Sequence, residues 1–251
     1  MGWFERWRSK RAELRQFRSQ SRRDVFEHIY ETHKWGGDSR SGKGSGMART
    51  FRVRSALPPL LDELGVTSIL DVPCGDHGWM GTLDLGGRPY IGCDIVPALI
   101  EHNQQRYPDR CFRVADICEQ PLPDADLVLC RDLLVHLSFA DIARALPNLL
   151  GVQGRYVLCT TFPGIEKNVD GVTGKHRRLN LCLPPFGWPQ PWRLIEEGTE
   201  AAQVHGKCLG LWHLPALRAA RGEIFTERPA TDRTGHASIE GGEESGEVRT
   251  I

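Results

Sequence analysis

Three aspartates close three successive apolar runs: Asp71 in ILDVPCG, Asp94 in YIGCDI and Asp116 in RVADI. A carboxylate at one strand end is usually a turn residue. Three in register suggest a shared ligand, because ligands of open α/β sheets sit beyond the carboxyl ends of the strands. Asp94 follows Asp71 by 23 residues, a separation that suits hydrogen bonding to ribose hydroxyls. Asp116 would then meet an adenine amino group while Ile117 packs on the ring. A fourth run ends in Arg131-Asp132, with His136 four residues on. Imidazole has a free pKa near 6.5 and accepts a proton at cellular pH. This makes His136 a candidate general base, with Asp132 orienting it at helical i, i+4 spacing or contacting the acceptor. A packed, hydrogen-bonded core histidine is the equal alternative.

Positioning these groups takes alternating strands and helices. Residues 66–72, 90–95, 111–116, 127–131 and 156–161 read as strands. Residues 97–106, with a proline in the first turn, and 138–150, with Ser138 as cap, read as helices. A further helix over 51–64 opens the unit despite Pro58 and Pro59. Repeated β-α-β order predicts an α/β fold whose sheet is mostly parallel and covered by helices on both faces. Residues 193–196 and 207–212 suit an antiparallel pair at one edge.

Around this domain (51–225) lie an N-terminal arm with a Gly/Ser-rich loop (1–50), an insertion at 162–192 and a polar, glycine-rich tail at 226–251 that reads as disordered. Residues 1–23 hold eight Arg or Lys against two Glu, with Trp3, Trp7, Leu14 and Phe17 at roughly helical spacing. Such a helix could dock on a membrane surface or an anionic partner. Lys10 interrupts the apolar stripe, which favours packing on the domain or a second subunit. The loop WGGDSRSGKGSG, residues 35–46, is either a linker or a lid whose glycines permit close approach to a ligand.

The chain of 251 residues carries 32 basic and 32 acidic side chains, so it lacks the global charge of a nucleic-acid binder. No run of apolar residues is long enough to span a membrane, and no secretory leader is evident. Eight cysteines without a C-x-x-C pair, most within apolar runs, read as reduced core thiols of a cytoplasmic protein.

Residues 66–161 resemble the class I S-adenosylmethionine-dependent methyltransferases: ILDVPCG, YIGCDI, RVADI and ADLVLCRDLLVHL match that family's four motifs in order. The turn after Asp71 has one early glycine, where the family usually has G-x-G. IYETHKWGGDSRSGKGS, DVPCGDHGWM and HRRLNLCLPPFGWPQP extend the likeness, over about residues 25–215, to small bacterial sugar and polysaccharide O-methyltransferases. The mycobacterial methylmannose polysaccharide type is one candidate relative. The resemblance implies a Rossmann-like fold and S-adenosylmethionine as cofactor. A carboxylate at Asp71 would repel a diphosphate but suits the ammonium and sulfonium of the methyl donor, which answers the sparse glycines of this turn.

Trp35, Ser41, Gly42, Ser45, Asp71, Cys74, Gly75, Asp94, Ile95, Asp116, Ile117 and Arg131 are thus expected to hold the donor. Asp76, His77, Arg177, Asn180 and Trp188 are expected to face the acceptor, a sugar or oligosaccharide hydroxyl. Tryptophans beside polar donors, Trp192 and Arg178 included, suit carbohydrate rings. Asp132, Asp76 and His77 leave a magnesium ion as an additional cofactor to test. No nucleic-acid partner and no stable membrane insertion are expected; a homodimer is entertained. The alternatives are methylation of another small molecule and a non-catalytic S-adenosylmethionine-binding module. A nicotinamide oxidoreductase lacks its G-x-G-x-x-G turn here, and a nucleic-acid methyltransferase lacks a charged footprint.

Overall fold

Short aliphatic runs flanked by turn residues form the central strands, and amphipathic segments between them form the covering helices. The computed structural model describes residues 2–199, 202–224 and 249–250. The strands are β1 (Ile69–Asp71), β2 (Tyr90–Asp94), β3 (Cys111–Val114), β4 (Leu127–Cys130), β5 (Tyr156–Thr161), β6 (Arg193–Thr199), β7 (Ala202–His213) and the two-residue β8 (Arg249–Thr250). The helices are α1 (Trp3–Ser19), α2 (Arg22–Glu31), α3 (Phe51–Glu63), α4 (Pro97–Arg106), α5 (Phe139–Gly151) and α6 (Leu214–Ile224).

One sheet has the order β3-β2-β1-β4-β5-β7-β6-β8. Strands β1 to β5 run parallel, and β7 inserts antiparallel between β5 and β6. The expected antiparallel edge pair is present, with β7 extending well before residue 207. Strand order reverses at β1, which pairs with β2 on one side and β4 on the other. A ligand crevice belongs at the carboxyl ends of these strands.

Side-chain alternation divides the core between the two faces of the sheet. Leu70, Val128, Cys130, Val157 and Cys159 pack with Leu146 and Leu149 of α5 and Leu217 of α6. Ile69, Leu127, Leu129 and Leu158 pack with Val53, Leu57 and Leu61 of α3 and Leu99 of α4. Helix α3 continues through Pro58 and Pro59. Helix α5 begins where expected: the Ser138 hydroxyl accepts from the Asp141 N–H, a standard cap.

Ahead of the sheet, α2 buries Val25 and Ile29. Arg22 in its first turn pairs with Asp116, Asp141 and Glu119. The last turns of α1 are anchored by buried Phe17 and by Glu13, which binds Lys34 and Lys175. Of the tail expected over 226–251, all but the strand β8 lies outside the described residues. Among the described residues, no helix is long and apolar enough to cross a membrane. All eight cysteines are free, six of them buried.

Candidate active site

At the carboxyl ends of β1, β2 and β4 lies a cavity of about 360 Å³. Its wall includes Trp35, Ser41, Gly42, Ser45, Asp71, Cys74, Gly75, Asp94, Ile95, Arg131, Asp132 and His136, all expected from the sequence. Burial drives Asp71 up to about 7, although the Tyr90 hydroxyl and the Arg131 charge pull it down. Burial also raises Asp94 to about 6, against hydrogen bonds from the N–H groups of Val96, Gly75 and Ile95. Both carboxyls therefore titrate close to cellular pH, and a bound cation would favour their ionised forms.

A buried relay fixes Asp71. Tyr90 donates its hydroxyl proton to Asp71 at 2.7 Å, and the same oxygen lies 3.0 Å from His77 Nδ1. With the tyrosine proton committed to Asp71, the His77 contact requires the proton on Nδ1. His77 is only 1% exposed, among Tyr90, Tyr107 and Phe112, and burial lowers it to about 4. It therefore does not face an acceptor as expected; it supports Asp71 from behind the wall.

Asp76 also departs from expectation. Its carboxylate accepts from the Ser39 hydroxyl at 2.7 Å and the Arg40 N–H at 2.8 Å. In return the Asp76 N–H donates to Ser41 Oγ at 2.7 Å. Asp76 thus fastens the Gly/Ser loop to the β1 turn. The same loop is tied to β4, because Arg131 donates to the Gly44 carbonyl at 2.8 Å. Gly75 has φ +53, and a side chain there would collide with Ser41. Gly44 passes so close to Asp132 that an added Cβ would sit 3.1 Å from its Oδ2. A flexible linker would make none of these contacts; the segment is an anchored cover over the cavity.

The third aspartate is placed differently. Asp116 and Ile117 border a small adjoining hollow of about 30 Å³ that shares Pro73, Asp94, Ile95 and Leu133 with the main cavity. Asp116 Oδ2 accepts from Arg22 Nε at 3.0 Å, and Oδ1 from the Cys118 N–H at 2.9 Å. Asp71 and Asp94 share the large cavity, whereas Asp116 stands behind Arg22 at its margin.

Asp132 adopts φ +59, and its N–H is held by Thr160 Oγ1 at 2.9 Å. Burial alone would raise its carboxyl; Lys207, which donates at 2.6 Å, and Arg131 hold it well below the usual carboxylate range. Among the described residues no hydrogen bond joins Asp132 to His136, so the expected orienting contact is not made. His136 instead stacks on Trp35, ring centres 4.4 Å apart, with His176 at 5.4 Å. Burial takes its pKa down to about 3 despite the Asp132 charge, so the ring is neutral at cellular pH.

The insertion contributes less than its composition suggests. Arg177 braces backbone carbonyls at Val169 and Val135. Asn180 is buried and donates to Pro163 O. Trp188 is buried edge-on against Trp212, and Trp192 stacks on Tyr156. None of these four residues lines the cavity; within the segment, only His176 does. Tryptophan and asparagine serve a core turn as readily as a sugar site, and composition alone does not separate the two uses.

Several cavity residues were missed by sequence reasoning, two of them in a charged network. Glu197 on β6 and Lys207 on β7 meet Arg131 and Asp132 in a buried network: Arg131 Nε lies 3.2 Å and Lys207 Nζ 3.0 Å from Glu197 Oε2. A lysine heading the apolar run KCLGLW was the available signal. Glu197 Oε1 and His136 Nδ1 are buried without a hydrogen-bond partner among the described residues. Around the mouth, Arg40, Lys43 and Arg49 have no ion-pair partner among the described residues. Acidic groups inside and cations at the rim fit a donor whose amino-acid end carries an ammonium, a sulfonium and a carboxylate. Asp132, Asp76 and His77 do not converge, and among the described residues no group of three or more His, Cys, Asp or Glu is arranged to hold a metal ion.

Residues 70–156 match the model of a methyltransferase domain family. Magnesium protoporphyrin IX methyltransferase (ChlM) from Synechocystis PCC 6803, solved with S-adenosylhomocysteine, aligns at 14% identity and a TM-score of 0.54, covering 76% of this chain and 97% of that one. The same enzyme with S-adenosylmethionine aligns at 14% identity and 0.52, covering 78% and 98%. The methyltransferase domain of bacterial CtHen1-C is 14% identical with a TM-score of 0.40, and the chain spans 64% of its length. No curated protein matches the sequence significantly. The ChlM alignments establish the Rossmann-like methyltransferase fold, parallel with an antiparallel β5-β7-β6 edge. With the domain match, residues 70–156 carry a class I S-adenosylmethionine-dependent methyltransferase domain.

Proposed function

We propose that this methyltransferase acts on a hydroxyl of a sugar or oligosaccharide, and that His136 receives the hydroxyl proton. The observation behind the base assignment is a neutral imidazole in the cavity wall, stacked on Trp35 and free of any ion pair to Asp132. The sugar rests on the sequence resemblance alone, since Asn180 and Trp188 are buried and Arg177 is engaged with backbone carbonyls, all outside the cavity wall.

S-adenosylmethionine, when bound, supplies a methyl group already activated on sulfur. Asp71 and Asp94 would face its cationic amino-acid end and its ribose, with Ile95 and Leu133 offering apolar surface. Arg40, Lys43 or Arg49 would take its carboxylate. The chain's remaining tasks are alignment, which supplies a large part of the acceleration, exclusion of water by the anchored loop, and removal of one proton. A strong base is not required. As the new carbon–oxygen bond forms, the proton on that oxygen becomes strongly acidic, so an imidazole of depressed pKa still accepts it.

A second reading has its own observation. Three rim cations exceed what one donor carboxylate requires, which favours an anionic small-molecule acceptor over a neutral sugar.

The test is labelled-methyl transfer across neutral sugars, sugar acids and non-sugar hydroxy acids, repeated with His136→Gln and His136→Ala. Label on oxygen is expected, with turnover lowered at least about a hundredfold in both variants while S-adenosylhomocysteine still binds. Label only on nitrogen or carbon contradicts the hydroxyl; full turnover in both variants contradicts the base.

A further inference from the structure

The tip of α1 has no use in the methyl-transfer site. Residues 1–23 carry eight Arg or Lys against two Glu, in a chain whose charges balance as a whole, so everything after them is acidic overall. At about 100° per residue, Trp3, Trp7 and Leu14 fall on one face of α1, with Arg11 and Arg18 beside them and Phe4, Arg8 and Arg15 next around. Glu13 and Phe17 fall on the other side of Trp3 from Trp7 and about three to four turns farther along the helix, and that end is the docked one: Phe17 is buried and Glu13 binds Lys34 and Lys175. The aromatic face looks outward. Trp3 is 72% exposed, Phe4 71% and Trp7 45%, and the Arg11 guanidinium lies 4.3 Å over the Trp7 ring.

Three exposed aromatic rings clustered at one helix end, interleaved with arginines, are costly in water and well matched to the boundary between headgroups and acyl chains. Tryptophan favours that depth, and arginine favours anionic headgroups. A long polyanion such as RNA would also meet the acidic remainder of the chain, whereas a flat leaflet need touch only the protruding tip. A second copy would bring two strongly cationic helices together.

We propose that α1 docks the enzyme reversibly on an anionic membrane leaflet, with Trp3, Phe4 and Trp7 in the interface and Arg8, Arg11 and Arg15 against the headgroups. The helix lies on the membrane and does not cross it. This stands independently of which acceptor is methylated.

The test is co-sedimentation of the full chain with vesicles of phosphatidylcholine alone or with about one-third phosphatidylglycerol. Binding is expected only to the anionic vesicles, with a blue-shifted tryptophan emission and release at high salt. Trp3→Ala/Trp7→Ala and Arg8→Glu/Arg11→Glu should each lower partitioning at least about tenfold. Both should keep S-adenosylhomocysteine affinity, which certifies their fold, because these side chains lie outside the cavity. Equal partitioning to neutral and anionic vesicles, or unchanged partitioning of both variants, overturns the proposal. So does conversion of a dimer to a monomer by Trp3→Ala/Trp7→Ala in sedimentation velocity, or tighter binding to single-stranded RNA than to the anionic vesicles in the same buffer.

Discussion

Asp71 and Asp94 combine two properties that rarely coexist on a surface: each is almost fully enclosed, and each faces a cavity large enough for a cofactor. Enclosure raises them to about 7 and about 6. If their ionised forms hold the donor's positive end, lowering the pH through those values protonates them in the free protein and weakens binding. Titration calorimetry of S-adenosylmethionine should therefore show affinity falling on the order of a hundredfold from pH 8 to pH 5.5. Asp71→Asn should bind more weakly at pH 8 and lose the part of the profile that lies nearest pH 7. A profile unchanged by Asp71→Asn contradicts the assignment. His136 acts in the other sense: at about 3 it stays unprotonated throughout this range, so it adds no limb of its own. The aspartates were visible in the sequence because strand ends are marked by apolar runs that stop. Their neighbours Asp76 and His77 were misread for the same reason, since proximity along the chain to a catalytic turn does not reveal which side of the turn a side chain takes.

At the scale of elements, the site depends on two segments distant in sequence from the β1 turn. The loop over residues 39–45 is tied down by Asp76 and Arg131, and β6 and β7 deliver Glu197 and Lys207. Arg131, Glu197 and Lys207 are all 6% exposed or less, so each charge relies on its partners in place of water. Removing one partner from such a network leaves uncompensated charge inside the protein. Lys207→Met should lower stability by about 3–5 kcal/mol, read from the urea midpoint, and Lys207→Met/Glu197→Gln should recover part of it. A loss below about 1 kcal/mol in the single variant would show that water already screens the cluster. Strand identities in the parallel half were legible from apolar runs. The β6–β7 charges were not, because a network is a pairing across the sheet, and periodicity along one strand carries no information about its partner.

For the whole molecule, alternating strand and helix patterns predicted the α/β layers, and the motifs marked the strand ends that border the cavity. The N-terminal arm was the least legible part. Its charge and aromatic spacing were plain, yet the sequence did not show that α2 would bring Phe26, Ile29 and Tyr30 to the cavity and Arg22 to Asp116. That arm makes the site a composite of both ends of the chain, from α2 at the front to β7 near the end. The most direct test of this composite site is a crystal structure with S-adenosylhomocysteine. The account predicts the ligand between Asp71 and Asp94, beneath residues 41–45, with its amino-acid end toward the Arg131–Glu197 network. Ligand bound elsewhere, or bound there without contact to either aspartate, would contradict it.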